Sequence, residues 1–501
     1  MSDRNDEPSP ASPKVTGRFQ QLAQSELFSP VQWRRRVLFW GGAVLVGLAA
    51  IGFAQAADWA FHVFNGVVTH NRYWAFLITP LTFALLAWLT EGALKPTRGS
   101  GIPQAIAALK IEDEGFRNSL LSLRVAIGKM ALTLAALLGG ASVGREGPTV
   151  HVGAGLLYSL GRRFGFAEPA AAGRFILAGA AAGLAAAFNT PLAGIVFAIE
   201  EMSGSFEHRM SGILLTAVFV AGLVSLGILG NYAYFGHFDI GLPLGKAWWA
   251  VLATGIVCGL AGGLFARLIV PHDTGFRGFV GRLRARQPVV FAAACGLALV
   301  LLSQLTHTGL YGTGYEQARN ILQGHTDTVT SFGVLKFLGN IASYWAGIPG
   351  GIFSPALAVG AGLGNNLCAI LPGVDPSAVV LLAMAAYLSG VTQAPLTATV
   401  ISMELTANQQ MVLPIMATCL LARATSSLLS RKPVYRALAD KLIEGYEREL
   451  ARRAAEPSAD DEGDAHGAWA ESSVVEDPAT PLPPSGEPPH PSVSPTDHQP
   501  S

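Results

Sequence analysis

Long apolar stretches recur along the chain from Val37 to Leu429, parted by short polar or Gly- and Pro-rich breaks. The clear runs are 37–56, 73–90, 211–230, 248–270, 289–303, 377–389 and 411–429. A membrane crossing needs ~20 apolar residues, so several of these predict spanning helices. Others are too short or are cut. Gly99, Ser100, Gly101, Ile102 and Pro103 break the chain before a short helix predicted over 104–109. Gly144, Arg145, Glu146, Gly147 and Pro148 break it again before a helix predicted from Thr149. Gly351, Ile352, Phe353, Ser354 and Pro355 do the same before Ala356. In lipid, irregular backbone survives only where protein buries it or it lines a cavity. Gly- and Pro-interrupted segments at matching places in two halves point to a transporter's binding site.

The halves can be laid over one another. Gly144–Leu156 and Gly351–Leu363 share G-x-x-x-P-x-x-x-V-G-A-G-L at an offset of 207. Pro191–Glu200 and Pro395–Glu404 share P-L-x-x-x-V-x-x-x-E at an offset of 204. Two ordered matches at nearly one offset indicate an internal repeat, and the offset leaves its parallel or inverted sense open. Glu200 has a counterpart in Glu404, which predicts a shared structural role at a helix end. Glu146 falls opposite Phe353 and Glu201 opposite Leu405, so repeat symmetry explains neither acid. An ionisable group inside a membrane segment costs several kcal/mol unless it is used, which makes these two the leading functional candidates.

Composition agrees with a membrane chain. Of 501 residues, 50% are apolar and 14% charged, with a mean hydropathy of +0.40; soluble domains carry roughly 25% charged residues. Lys and Arg balance Asp and Glu at 34 each, which gives no basic footprint for nucleic acid. Arg34, Arg35 and Arg36 precede the first apolar run. Arg431, Lys432, Lys441, Arg452 and Arg453 follow the last. By the positive-inside rule both termini are expected in the cytoplasm, with an even number of crossings. Residues 1–30 read as a polar cytoplasmic segment without a secretory signal. Residues 451–501 read as a disordered acidic, Pro-rich tail. Cys258, Cys295, Cys368 and Cys419 lack metal spacing and read as small buried hydrophobes. No zinc or serine-nucleophile motif is found, so an enzyme is not expected.

The three glycine motifs, in this order, with Pro191–Met202 ending Ile-Glu-Glu-Met and with Lys432-Pro-Val-Tyr435, resemble the CLC chloride channel and transporter family over about residues 30–450. The chemistry suits an anion. Chloride must shed water, and helix N-termini offer free N–H groups and the positive end of the helix dipole in exchange. Gly lets backbone approach the ion, and Pro fits a first helical turn. The resemblance implies that the hydroxyls of Ser100 and Tyr435, with the backbone amides of Ile352 and Phe353, hold a central chloride near the midplane. It implies that Glu146 is the external gating glutamate and Glu201 the cytoplasm-side proton-transfer glutamate of the exchangers, where channel members carry a nonpolar residue.

The expected protein is therefore an all-α polytopic membrane protein. Its CLC-like fold has two inverted repeats (about 31–240 and 245–450 within 31–450) with broken and tilted helices. The expected function is proton/chloride antiport, with passive chloride conduction as the alternative. The resemblance further implies a homodimer with one pathway per subunit, in a bacterial inner membrane. No cofactor is expected beyond the transported chloride and protons. The tail does not resemble a nucleotide-binding module. Two departures stand out. Gln104 occupies a position that is often Glu in the family, and Lys129 is a lone cation in an apolar stretch. Lys129 either raises the anion potential of the pathway or snorkels to the interface.

Overall fold

The computed structural model describes residues 30–92, 94–166, 168–203, 212–270, 279–306, 309–325 and 330–455. Nearly all of residues 1–30 and of the tail expected over 451–501 lie outside them. The chain forms a compact unit over Met1–Tyr446 and a second over Glu447–Ser501. In the second, only the end of the last helix is described, where Glu449 pairs with Arg452 and Arg453.

The first half begins with α1 (Pro30–His70) and α2 (Ala75–Glu91). The short α3 (Ile102–Lys110) and α4 (Glu114–Leu121) follow, then α5 (Leu123–Leu138), α6 (Glu146–Arg163) and α7 (Pro169–Phe188). Next, α8 (Pro191–Phe197) opens into a π turn over Ala198–Ser203, and α9 (Gly212–Leu229) closes the half. The second half holds α10 (Trp249–Ile269), α11 (Phe279–Arg286), α12 (Pro288–Gln304), α13 (Tyr315–Leu322) and α14 (Phe332–Trp345). It continues with α15 (Phe353–Cys368), α16 (Pro376–Thr392), α17 (Pro395–Thr406) and α18 (Val412–Ser427). The polar α19 (Val434–Ala455) ends the described chain. Among the described residues, six helical stretches are long and apolar enough to cross a membrane.

Three helices start earlier than the apolar pattern predicts. α3 begins at Ile102, α6 at Glu146 and α15 at Phe353. Gly and Pro in those strings look like breakers, but a first turn needs no intrahelical N–H bonds and accepts both. α1 is also much longer than run 37–56, because its last turns, where Asp58, His62, Asn65 and His70 interrupt the apolar residues, are still helical.

The repeat is physical. Gly144 and Gly351 exchange two backbone hydrogen bonds of 2.7 Å in an antiparallel bridge. Asn189 ends α7 and Gln393 ends α16, both left-handed at φ 57°. Glu200 accepts from the amides of Leu396 (3.2 Å) and Thr397 (2.6 Å) at the start of α17. Glu404 accepts from Leu192 (3.3 Å) and Ala193 (2.6 Å) at the start of α8. Each half thus caps a helix of the other, the role predicted for this pair. Small residues let helices touch: a methyl on Gly153 of α6 would strike the Gly179 carbonyl of α7, and one on Gly360 of α15 would strike α16 at Met384. Apolar side chains such as Trp59, Leu81, Trp88, Phe219 and Leu413 face outward, as a lipid-facing surface requires. Cys258, Cys295 and Cys419 are buried as expected. Cys368 is only partly so.

Candidate functional site

The starts of α3, α6 and α15 converge. Ser100 lies in a turn between Gly99 (φ 67°) and Gly101 (φ 102°), two left-handed positions that suit glycine. Gly147, in the first turn of α6, packs so closely on this turn that a Cβ there would collide with Ser100 Oγ and press on Gly351 Cα. Ile352 and Phe353 stand at the start of α15, 5% and 1% exposed. First-turn N–H groups have no acceptor inside their own helix, so three positive helix ends point into one small region. Tyr435, from the first turn of α19, completes it. The tyrosine is fully buried, its ring stacked parallel to Phe353 at 6.3 Å.

Polar atoms here are left unpaired. Ser100 Oγ, Tyr435 Oη, Glu146 Oε2 and Glu201 Oε1 are all buried without a hydrogen-bond partner. An unmade buried hydrogen bond costs about 1–3 kcal/mol, and such groups in a native fold call for an explanation. Tyr435 has Ser100, Glu201 and Glu146 among its polar neighbours, so one phenol lies within electrostatic reach of both candidate acids.

Glu146 is the first residue of α6 and is fully buried. Ser354 Oγ donates to its Oε1 at 2.6 Å. Its chain neighbour Arg145 does not pair with it. Arg145 Nη1 instead reaches Asp58 at 2.5 Å and the Ala54 carbonyl at 2.6 Å, both on α1. Glu201 sits in the π turn and is 3% exposed, with Arg436 and Glu200 as charged neighbours. Arg436 Nη2 donates to the Glu200 carbonyl at 2.7 Å and so fixes the turn. The matching stretch of the second half, α17, stays α-helical through Leu405. π turns recur at functional sites, and this one carries Glu201, the acid without a counterpart, next to Glu200.

Lys129 is fully buried, which excludes snorkelling. Its Nζ donates to the Gly99 carbonyl at 2.8 Å. Gln104 Nε2 donates to the Arg98 carbonyl at 2.6 Å. Both brace the Ser100 turn from behind. On one side a cavity of about 340 Å³ reaches Ser100 past Lys95, Arg98, Arg284 and Lys441. A second, of about 260 Å³, reaches Arg145 past Asp58, Tyr232, Tyr234 and Thr313. Ser100, Glu146 and Tyr435, at 0–1% exposure, close the region between.

Three features escaped the sequence reading. Ser354 stands in the sequence only as part of a motif, yet its hydroxyl holds Glu146. Lys336 lies 207 residues after Lys129; it too is fully buried, its Nζ bonded to the carbonyls of Gly312 (2.8 Å) and Leu310 (2.9 Å) and to Ser142 Oγ (2.8 Å). Gly312-Thr-Gly-Tyr-Glu-Gln-Ala318 is the image of Gly99-Ser-Gly-Ile-Pro-Gln-Ala105, and Gly312 (φ 65°) and Gly314 (φ 78°) repeat its left-handed backbone. Comparing Gly-x-Gly strings, rather than apolar runs, would have found it. Among the described residues no three His, Cys, Asp or Glu side chains form a group that could hold a metal ion.

The site can now be compared with known proteins. The family model described as "Voltage gated chloride channel" matches residues 82–427. The H(+)/Cl(-) exchange transporter ClcA of Yersinia pestis bv. Antiqua (strain Angola) is 32% identical over 434 residues, which cover 81% of this chain and 87% of that protein. ClcA of Salmonella paratyphi A is 31% identical over 448 residues, covering 83% and 91%. The crystal structure of a slow cyanobacterial Cl−/H+ antiporter is similar with a TM-score of 0.68 and 26% identity, over 81% of this chain and 97% of that one. The all-α fold of two inverted repeats with broken helices stands.

Proposed function

The chain belongs to the voltage gated chloride channel family, and we propose that it exchanges chloride for protons across the membrane. The observation that carries this reading is the set of four buried, unpaired polar atoms on Ser100, Tyr435, Glu146 and Glu201. Chloride is held by the hydroxyls of Ser100 and Tyr435 and by the amides of Ile352 and Phe353, at the positive ends of helices. The cavity at Ser100 and the cavity at Arg145 are its approaches from the two faces.

Glu146 is the gate. Ionised, its carboxylate is itself an anion at a helix N-terminus and competes with chloride for the same field. Protonated, it is neutral, leaves that position and lets chloride pass. Proton uptake and chloride access are coupled because one place serves both. Glu201 delivers protons from the other side, off the chloride route. An acid there is not required by the fold, since Leu405 fills the matching position. The protein is an integral membrane protein, and we place both termini in the cytoplasm and two copies in a homodimer with one pathway each. The residues described here carry out no covalent step.

Purified protein in lipid vesicles, driven by a chloride gradient, tests the reading. Simultaneous recording should show proton movement opposite to chloride movement. Chloride flux without any proton movement would overturn exchange in favour of a passive channel.

A further inference from the structure

Arg145 and Glu146 are adjacent in the chain, and a guanidinium beside a gating carboxylate would be its natural partner. Arg145 is instead tied at two points to α1. Asp58 takes one guanidinium nitrogen at 2.5 Å, and the Ala54 carbonyl, one turn earlier, bonds it at 2.6 Å. The Arg145 side chain is 9% exposed, while Asp58 stands at the cavity rim with 61% exposure. We propose that Asp58 is a positioning residue of the exchange cycle: by holding Arg145 against α1, it keeps the guanidinium off Glu146 and leaves that carboxylate able to take up a proton. This rests on the exchange reading above.

The charges around the pair support it. Arg145 is faced by Asp58 and His62 from α1, by Tyr232 and Tyr234 from the chain after α9, by Tyr315 and Glu316 from α13, and by Glu146 from α6. Glu146 is faced by Arg145, Tyr234 and Tyr435, and it accepts from Ser354. With Asp58 neutralised, Glu146 and Glu316 are the acids left around Arg145, and Glu146 is the one whose charge already acts on it. Repeat symmetry does not demand the arrangement, since Ile352 fills the matching position of the second half. A full pair with Arg145 would favour the ionised gate, so more acid would be needed to open it. Opposite charges brought within ~4–6 Å move an acid's titration by about 1–3 pH units.

The test measures chloride-driven proton transport by the full chain in vesicles across a symmetrical pH series. Asp58→Asn should move the half-maximal pH about one unit or more toward acid. Asp58→Glu should keep the wild-type midpoint. In Asp58→Asn with Arg145→Gln the acid shift should vanish relative to Arg145→Gln alone, because the guanidinium that causes it is gone. Asp58→Ser serves as a second neutral variant should the asparagine fold poorly. An unmoved midpoint in both neutral variants, as when Glu316 takes over Arg145, would overturn the inference and leave the exchange reading intact. So would a shift that persists without Arg145. Wild type that moves chloride without protons would overturn both.

Discussion

At the starts of α6 and α15 the two halves place the same backbone around different chemistry. Gly144 and Gly351 bond each other across the centre, and Pro148 and Pro355 occupy matching first turns. Between them one half carries Arg145 and Glu146, the other Ile352 and Phe353. The pattern repeats elsewhere. Lys129 and Lys336 each brace a Gly-x-Gly turn from beneath. Yet Ser100, at the inner end of one cavity, keeps a buried and unpaired hydroxyl, while Thr313 lines another cavity and accepts from the Tyr315 amide at 3.2 Å. What the halves share is what a broken-helix scaffold needs: glycines, prolines, caps and buried cations under carbonyls. What they do not share is the set of groups that treat the two faces of the membrane differently. A symmetric frame cannot by itself couple two ions in opposite directions; in the exchange proposed above, the unmatched acids supply the asymmetry.

The comparison can be broken where the halves differ. Glu146→Gln and Glu201→Gln should each abolish proton coupling, with chloride flux continuing. Glu146→Gln should in addition remove the pH dependence of that flux. Vesicle recordings decide this, and a variant that still pumps protons down a chloride gradient would strip that acid of its role. Where the halves agree, the effect should be on stability and equal on both sides. Glu200→Gln and Glu404→Gln each weaken a charge-assisted pair of amide bonds, worth about 1.5–3 kcal/mol per bond to a charged group. Thermal unfolding in detergent should show similar losses. Lost coupling at unchanged stability in Glu200→Gln would move that residue out of the scaffold.

Smaller effects sharpen the contrast between the Ser100 and Thr313 turns. Ser100→Ala with Tyr435→Phe should weaken chloride binding by about 0.5–1.5 kcal/mol per hydroxyl, read by calorimetric titration, while Thr313→Ala should leave that affinity in place. The smallest concerns α19, which the described first half does not mirror. Lys110 of the first half (2.7 Å) and Lys432 (2.8 Å) both reach Asp440. Partial burial pushes the Asp440 carboxyl up, but the two lysine hydrogen bonds outweigh it and hold it below the usual carboxylate range. The stabilisation is therefore whole at neutral pH and is lost as pH falls through the lowered value. Asp440→Asn should cost under about 1 kcal/mol, as a surface bridge does, and the cost should disappear in acid.

The sequence carried the repeat plainly, because Gly at crowded helix starts cannot be replaced without a clash, and Pro suits a first helical turn. It carried Glu146, Glu201, Ser100 and Tyr435 through motifs, and burial then gave their hydroxyls and carboxylates a common setting. Hydropathy read the bilayer better than it read helices. Run 37–56 stops where polar residues first interrupt α1, at the turns that bear Asp58 and His62. For the same reason the partners of Arg145 were hidden. One of them lies 91 residues away, and nothing in either local pattern refers to the other. The Thr313 turn escaped because Tyr315 and Glu316 stand where Ile102 and Pro103 would have signalled a helix start.

The exchanged caps of α8 and α17 are simultaneous in the finished protein but not during synthesis. Glu404 is separated from Leu192 by 212 residues. At ~5–20 residues per second, the ribosome needs about 10–40 seconds to make that stretch. Through that interval the amides of Leu192 and Ala193 are in the growing chain with no Glu404 to accept from them. Leu396 and Thr397, by contrast, emerge to find Glu200 already made. The molecule's spatial symmetry is thus assembled by an asymmetric history, in which the first half waits for its cap and the second half does not.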